Sequence, residues 1–220
     1  MATRQLLAEL VADYKKLANA DIAIASVGGV DAAKRVQAGE AFDVVILASD
    51  AIDKLIASGH IDPTSKVNLV NSGVAVAVKA GAAAPNISSE TALKAAVLAA
   101  KTISYSTGPS GVAVANLFER WGIAQEIHNR IVQAPSGVPV GSLIAKGEVE
   151  LGFQQLSELI HLDGIRIVGP LPPEIQITTT FSAGVCTAST HKVEAGKLLS
   201  FMASPAAAAA KLRQGMEVIE

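Results

Sequence analysis

The chain has 220 residues and a formal net charge of −2; half of it is hydrophobic, with 4% aromatic and 17% charged residues. That length allows one large or two small domains with real cores, filled by Ala and Val more than by rings. No basic run is present and no apolar stretch approaches the roughly 18 residues of a membrane helix, so neither nucleic acid nor membrane insertion is expected.

Residues 3–17 are predicted helical, with Leu6, Leu7, Leu10, Val11 and Tyr14 on one face. The stretch also lacks the charged, apolar and small-residue parts of a signal peptide. The expectation is therefore a periplasmic protein if a signal was removed, and a cytoplasmic one otherwise. DIAIAS (21–26) is predicted as a short strand ending at the turn VGG, followed by a helix over 30–38 that Gly39 closes. FDVVILAS (42–49) is a near-continuous apolar run, typical of a parallel strand buried on both faces, and AIDKLIASG (51–59) is a helix with a Gly stop. This alternation implies a doubly wound parallel sheet. VNLVNSGVAVAVKAG (67–81) is β-rich, and a helix near 89–99 precedes the strand KTISYS (101–106). IHNRIVQA (127–134) approaches a strand, 137–147 reads as a helix, VELGFQ (149–154) as a strand and LSELIHL (156–162) as a short helix. An extended Pro-rich segment (165–177) and the strand TTTFSAGVCTAS (178–189) lead into a helical stretch over 191–216.

The stretch SYSTGPSGVAVANLFERWG (104–122) is the most informative. Val114, Leu117, Phe118 and Trp121 recur at helical spacing and Gly122 is a natural stop. Ser106 to Gly111 thus lead into a helix whose start offers unpaired N–H groups, a partial positive charge and extra hydroxyls, a combination suited to an oxyanion. The alternative is that Ser110 or Thr107 simply caps the helix.

Other chemistries find little support. His60, His128, His161 and His191 show no ligand spacing to one another or to Cys186, so no metal is expected. Cys186, the only cysteine, lies in FSAGVCTAS and reads as a buried structural thiol. There is no nucleophile elbow, Walker loop or dinucleotide fingerprint, and no catalytic residue or cofactor is expected. What remains are loops that follow strands and open helices: Met1–Thr3, Ser26–Gly29, Ser49, Ser106–Gly111, Ser136–Val138 and Gln154–Gln155. Ligands of open α/β sheets bind outside the carboxyl ends of strands, and these loops would form a neutral anion cage with only Arg4 nearby.

The runs VQAGEAFDVVILASDAIDKLIASG, SYSTGPSGVAVANLFERWGI and SLIAKGEVELGFQQLSEL resemble the molybdate-binding family of ABC-transporter solute-binding proteins. That family carries an x-x-G-x-x-x-D-V-F-x-S-A strand, a P-x-G helix start and a V-x-x-G-E-x-x-x-G helix–strand pair, and the likeness covers residues 20–215 or so. It implies the type II periplasmic binding protein fold: two doubly wound α/β lobes joined by two crossover strands, with a ligand cleft between them. VNSGVAVAV and QITTTFSAGV would be the crossings, giving one lobe from 1–78 plus 179–220 and the other from 79–178. By the same resemblance Ser110 matches the P-x-G donor and Val138 a second backbone donor. Gln155 falls where the family often has a Tyr, and Val27 and Gly28 where it has a Ser pair. Thr3 is then the best remaining hydroxyl near the start of the chain. The implied ligand contacts are Thr3, Arg4, Ser26, Gly28, Ser49, Ser110, Val138 and Gln155.

The missing Ser pair and Tyr argue against molybdate and for a small organic carboxylate. An inward Arg4 would suit an organic acid, because planar carboxylates pair with Arg in bidentate fashion; a solvent-facing Arg4 would suit a compact oxyanion. The expected function is non-catalytic binding of a small anion, with an ABC-transporter permease as the implied partner. The alternatives are an isomerase of the aconitate-isomerase type on the same scaffold, with Tyr105 or Glu158 as proton carriers, and a ligand-sensing domain.

Overall fold

The computed structural model describes residues 1–219. In chain order its elements are α1 (Arg4–Leu17), α2 (Gly29–Gln37), β1 (Val44–Ala48), α3 (Ser49–Ala57), β2 (Val67–Lys79), α4 (Glu90–Ala99) and β3 (Ile103–Tyr105). There follow α5 (Pro109–Arg120), α6 (Ala124–Ile127), α7 (Val140–Lys146), β4 (Leu151–Gln155), α8 (Leu156–Leu159) and β5 (Ile165–Pro170). The chain ends with β6 (Thr178–Val185), α9 (Lys192–Ala203), α10 (Ala208–Arg213) and β7 (Glu217–Val218). Two units divide these elements: Met1–Ser72 with the residues from Thr179 onward, and Gly73–Thr178. Strands β2 and β6 each contribute residues to both units.

In the first unit, β1 pairs with β6, β6 neighbours β2, and β2 pairs with β7 through Val70 and Asn71. The periodic apolar face of α1 buries Leu6, Leu10 and Val11 against Leu69, Val70, Leu198, Leu199 and Met202. A second cluster joins Val36 of α2, Val45 and Leu47 of β1, Ile52 and Leu55 of α3, Ile61 and Cys186.

Three expectations fail here. β1 runs antiparallel to β6 (Val44↔Val185 to Ala48↔Phe181), not parallel to a neighbour. An apolar run reports burial, and burial does not choose the direction of the partner strand. DIAIAS forms no strand: residues 19–28 are irregular, and Asp21 to Val27 make no backbone hydrogen bond as donors among the described residues. An apolar cavity of about 150 Å³, lined by Ile22, Ile24, Val27, Phe42, Val44 and Ile46 among others, lies between this segment and β1. Strand-like composition without a pairing edge within reach stays irregular. The long helix expected over 191–216 is also divided. Ser204 is extended before Pro205, which opens a 3-10 turn and then α10, because Pro there cannot donate to the preceding turn.

In the second unit the order is β5-β2-β4-β3, with β2 antiparallel to both β4 and β5 and only β3 and β4 parallel. IHNRIVQA gives a 3-10 turn at His128–Arg130 and a single bridge from Ile131 to Ile103 instead of a strand. The core on one sheet face gathers Val74, Val76, Leu93, Val97, Ile103, Val114, Leu117, Phe118, Leu151 and Phe153. On the other face, Ala75, Ala77, Val140, Ile144 and Leu159 pack together. Gly152 permits this closeness, since a Cβ there would stand 2.5 Å from Ile144 Cδ1 and 2.7 Å from Val140 Cγ1. No helix among the described residues is long and apolar enough to cross a membrane.

Candidate functional site

Parallel pairing of β3 with β4, from Ile103↔Leu151 to Tyr105↔Phe153, brings their carboxyl ends to one edge of the second unit. The loop into α5 leaves β3 at that edge, and Gln155 ends β4 there. Phe118 anchors α5 over the pair, with ring centroids 5.6 Å from Phe153, 6.0 Å from Tyr105 and 5.8 Å from Trp121. At the far end of α5, Trp121 Nε1 and Arg120 each donate to Glu90 Oε1 at 2.7 Å, and Lys94 Nζ donates to the Trp121 carbonyl at 2.8 Å. These contacts hold α5 so that its amino end meets the strand ends.

That amino end is uncapped. Its N-cap is Gly108, no side chain bonds the first turn, and the first N–H returned to the chain is Val112 to the Gly108 carbonyl at 3.0 Å. Ser110 and Gly111 are both buried, and their N–H groups have no acceptor among the described residues. Capping by Thr107 or Ser110 is therefore not what these hydroxyls do. A buried polar group left without a partner costs about 1–3 kcal/mol, so this helix start favours any anion that supplies an acceptor. By contrast, Ser89 caps α4 by accepting from Ala92 N–H at 3.2 Å.

Gly111 makes the tight approach possible. A Cβ on it would lie 1.8 Å from the Ser106 carbonyl oxygen and 2.6 Å from the carbonyl carbon. Gln155 is 3% exposed and shares its strand face with Leu151 and Phe153, toward α5; its Oε1 is buried without a partner. A terminal amide can present either end, and turned over it offers two N–H donors in the same place. A helix start with free donors thus stands on the same edge as a buried amide with spare capacity.

On the other sheet face, Gln154 is 2% exposed; its Nε2 donates to Glu158 Oε2 at 2.8 Å, while its Oε1 accepts from Gly141 N–H at 3.4 Å. Burial pushes the Glu158 carboxyl above its ordinary range. Tyr105 is half-buried, and burial raises its phenol as well, helped by the charge of Glu119.

The remaining predicted residues are placed as follows. Val138 is partly exposed and its N–H already donates to the Pro135 carbonyl at 3.0 Å, so it is not a free donor; the turn 135–138 consumes it. The N–H groups of that stretch with no acceptor among the described residues are those of Ser136, Gly137 and Val140, and only the position of the turn sets them apart from Val138. In the first unit, Thr3 is the N-cap of α1, Gly28 the N-cap of α2 and Ser49 the first residue of α3, and none of these starts has a side-chain cap. α9 is equally uncapped, so this feature alone singles out nothing. Thr3 is buried, whereas Ser26 is exposed in the irregular segment. Arg4 is exposed on the first turn of α1 and makes no ion pair among the described residues.

Cys186 is buried, and burial with the nearby Asp43 charge pushes its thiol up to about 11. His191 stands at the start of α9 with Nδ1 3.2 Å from Asp43 Oδ1, and Ser189 donates to the same oxygen at 2.6 Å. No group of three His, Cys, Asp or Glu that could hold a metal gathers among the described residues.

Residues 1–217 match the sequence profile of the bacterial extracellular solute-binding proteins. The chain belongs to that family. A curated relative, the aconitate isomerase of Pseudomonas sp, is 38% identical over 186 residues, which span 84% of this chain and 71% of the relative. Among solved structures, the periplasmic molybdate-binding protein of Azotobacter vinelandii superposes with a TM-score of 0.83 at 21% identity, covering 100% of this chain and 96% of that one. Peb3 from Campylobacter jejuni superposes with a TM-score of 0.74 at 13% identity, covering 98% and 96%. The solute-binding chain accordingly has the type II periplasmic binding protein fold, and its likeness extends to molybdate-binding members.

Proposed function

We propose that this solute-binding protein takes a small organic polycarboxylate at the strand-end edge of the second unit, acting in the periplasm and delivering its ligand to an ABC-transporter permease. The observation that carries the reading is the buried, uncapped start of α5, where the N–H groups of Ser110 and Gly111 have no acceptor. The 38% identical relative is named for an organic tricarboxylate, which favours a carboxylate over a metal oxyanion. The family's Ser pair and Tyr are replaced here by Val27, Gly28 and Gln155, which points the same way. Arg4 is exposed, the outcome expected for a compact oxyanion, so the polycarboxylate reading rests on the relative and on the replaced Ser pair and Tyr, with neutral N–H groups and hydroxyls holding one carboxylate of the ligand.

The test is a titration with citrate, tricarballylate, cis- and trans-aconitate, molybdate and sulfate, repeated on Ser110→Pro. Proline is tolerated in the first helical turn but removes one donor. Carboxylates should bind in preference to the inorganic anions, and the variant should bind at least tenfold more weakly at nearly unchanged melting temperature. Equal affinity in variant and wild type would reject the site.

A second reading is favoured by the same relative: the bound acid is isomerised rather than only held. The half-buried Glu158 and Tyr105 supply titratable groups in the unit that carries the donors.

A further inference from the structure

We infer that Glu158 is the proton-carrying residue of an allylic isomerisation of an unsaturated polycarboxylate, an inference that rests on the isomerase reading above. The strand-end edge is otherwise built of hydroxyls, amides and backbone N–H groups, none of which takes a proton from carbon near neutral pH. The other carboxyls of the second unit sit elsewhere along its elements. Glu148 and Glu150 precede β4, Glu90 and Glu119 lie at the far end of α5, Glu126 belongs to α6, Asp163 to the loop between α8 and β5, and Glu174 to the turn after β5.

Glu158 is held in place from one side. Gln154, itself nine-tenths buried and tethered to Gly141 N–H, donates to Oε2 at 2.8 Å, and Oε1 accepts no bond among the described residues. Gln155 ends β4 and α8 begins at Leu156, so Glu158 follows the carboxyl end of β4, at the edge where β3 passes into α5. Gln155 Oε1 is the buried polar atom that lacks a partner on that edge. Burial raises the proton affinity of Glu158 above that of an ordinary carboxylate, which brings it closer to a working base. Tyr105 is the weaker candidate: its raised phenol is a poor base near neutrality, and its ring is engaged edge-on with Phe118.

The step balances without an oxidant or a second reactant. The Glu158 carboxylate removes one proton from the methylene carbon beside the double bond. The C–H electron pair becomes part of an allylic carbanion, whose charge spreads into the adjoining carboxylate held by the α5 donors. The protonated Glu158 then returns the proton to the far carbon of the allyl unit, and the double bond is left one position along. One group on one face of the ligand serves both transfers, and no atom is gained or lost.

The experiment follows cis- and trans-aconitate by proton NMR in D2O, reading both interconversion and deuterium entering the carbon skeleton, for wild type and Glu158→Gln. Binding of tricarballylate, the saturated acid that cannot isomerise, is titrated in parallel together with the melting temperature. Glu158→Gln should lower interconversion and deuterium entry at least 100-fold while tricarballylate affinity stays within threefold and melting is unchanged. Turnover within threefold of wild type overturns the assignment, as does a loss of tricarballylate binding as large as the loss of turnover. A wild type that binds tricarballylate but neither interconverts nor exchanges aconitate also overturns it, and leaves the binding function standing.

Discussion

Gly111→Ala tests the α5 start most severely. The added Cβ would lie 1.8 Å from the Ser106 carbonyl oxygen, 2.6 Å from its carbon and 3.0 Å from Ser106 N. Ordinary van der Waals contact begins near 3.4 Å, so the helix start or the loop must retreat by about 1.6 Å, and no side chain can rotate to make room because every clashing atom is backbone. Overpacking of this kind costs about 1–3 kcal/mol and here belongs at the upper end, a fall of several degrees in melting temperature. The same movement displaces the two free N–H groups relative to Gln155. A hydrogen bond to a charged partner is worth about 1.5–3 kcal/mol, so losing one weakens an anion by roughly 10- to 150-fold. Thermal unfolding monitored by circular dichroism reads the first effect and calorimetric titration of tricarballylate the second. Ser110→Ala serves as the control, since it removes only a hydroxyl and should keep wild-type melting. A Gly111→Ala protein with wild-type melting and wild-type affinity would refute both the packing argument and the placement of the donors.

Two further outcomes follow from the titratable groups. Hydrogen bonds from Trp121 and Arg120 hold the Glu90 carboxyl below its ordinary pKa, so its contribution is fully present above the unfolded value near 4.5 and is lost as pH falls through the lower folded value. Glu90→Gln should therefore remove part of the acid-side decline in stability, seen by urea unfolding between pH 3 and 7 or thereabouts; an unchanged decline would remove Glu90 from the account. Cys186, buried and raised to about 11, should react with a thiol reagent at pH 8 far more slowly in the native protein than in denaturant, where one equivalent should appear; equal rates would contradict its burial.

What the sequence determined by itself is what depends on near neighbours in the chain. The apolar spacing of Leu6, Leu10 and Val11 marks α1, and that of Val114, Leu117 and Phe118 marks α5. Gly122, with φ +69, stops α5 where its lack of a Cβ permits that conformation. The quoted motifs likewise identified the family and its fold, because they are short runs read in register. The tertiary structure decided everything that depends on a distant partner. DIAIAS has the composition of a strand but no pairing edge, and β1 found β6, more than a hundred residues away, in the antiparallel sense. Ser110 could have been a cap, and only the geometry of Gly108 and Ser106 shows that the first turn is left uncapped. Val138 looked like a donor until the Pro135 carbonyl claimed its N–H. The Gln154–Glu158 pair lies four residues apart in the chain, yet only burial in the folded unit raises that carboxyl. Periodicity records which faces are covered; which atoms are left unpaired depends on how the covered faces meet.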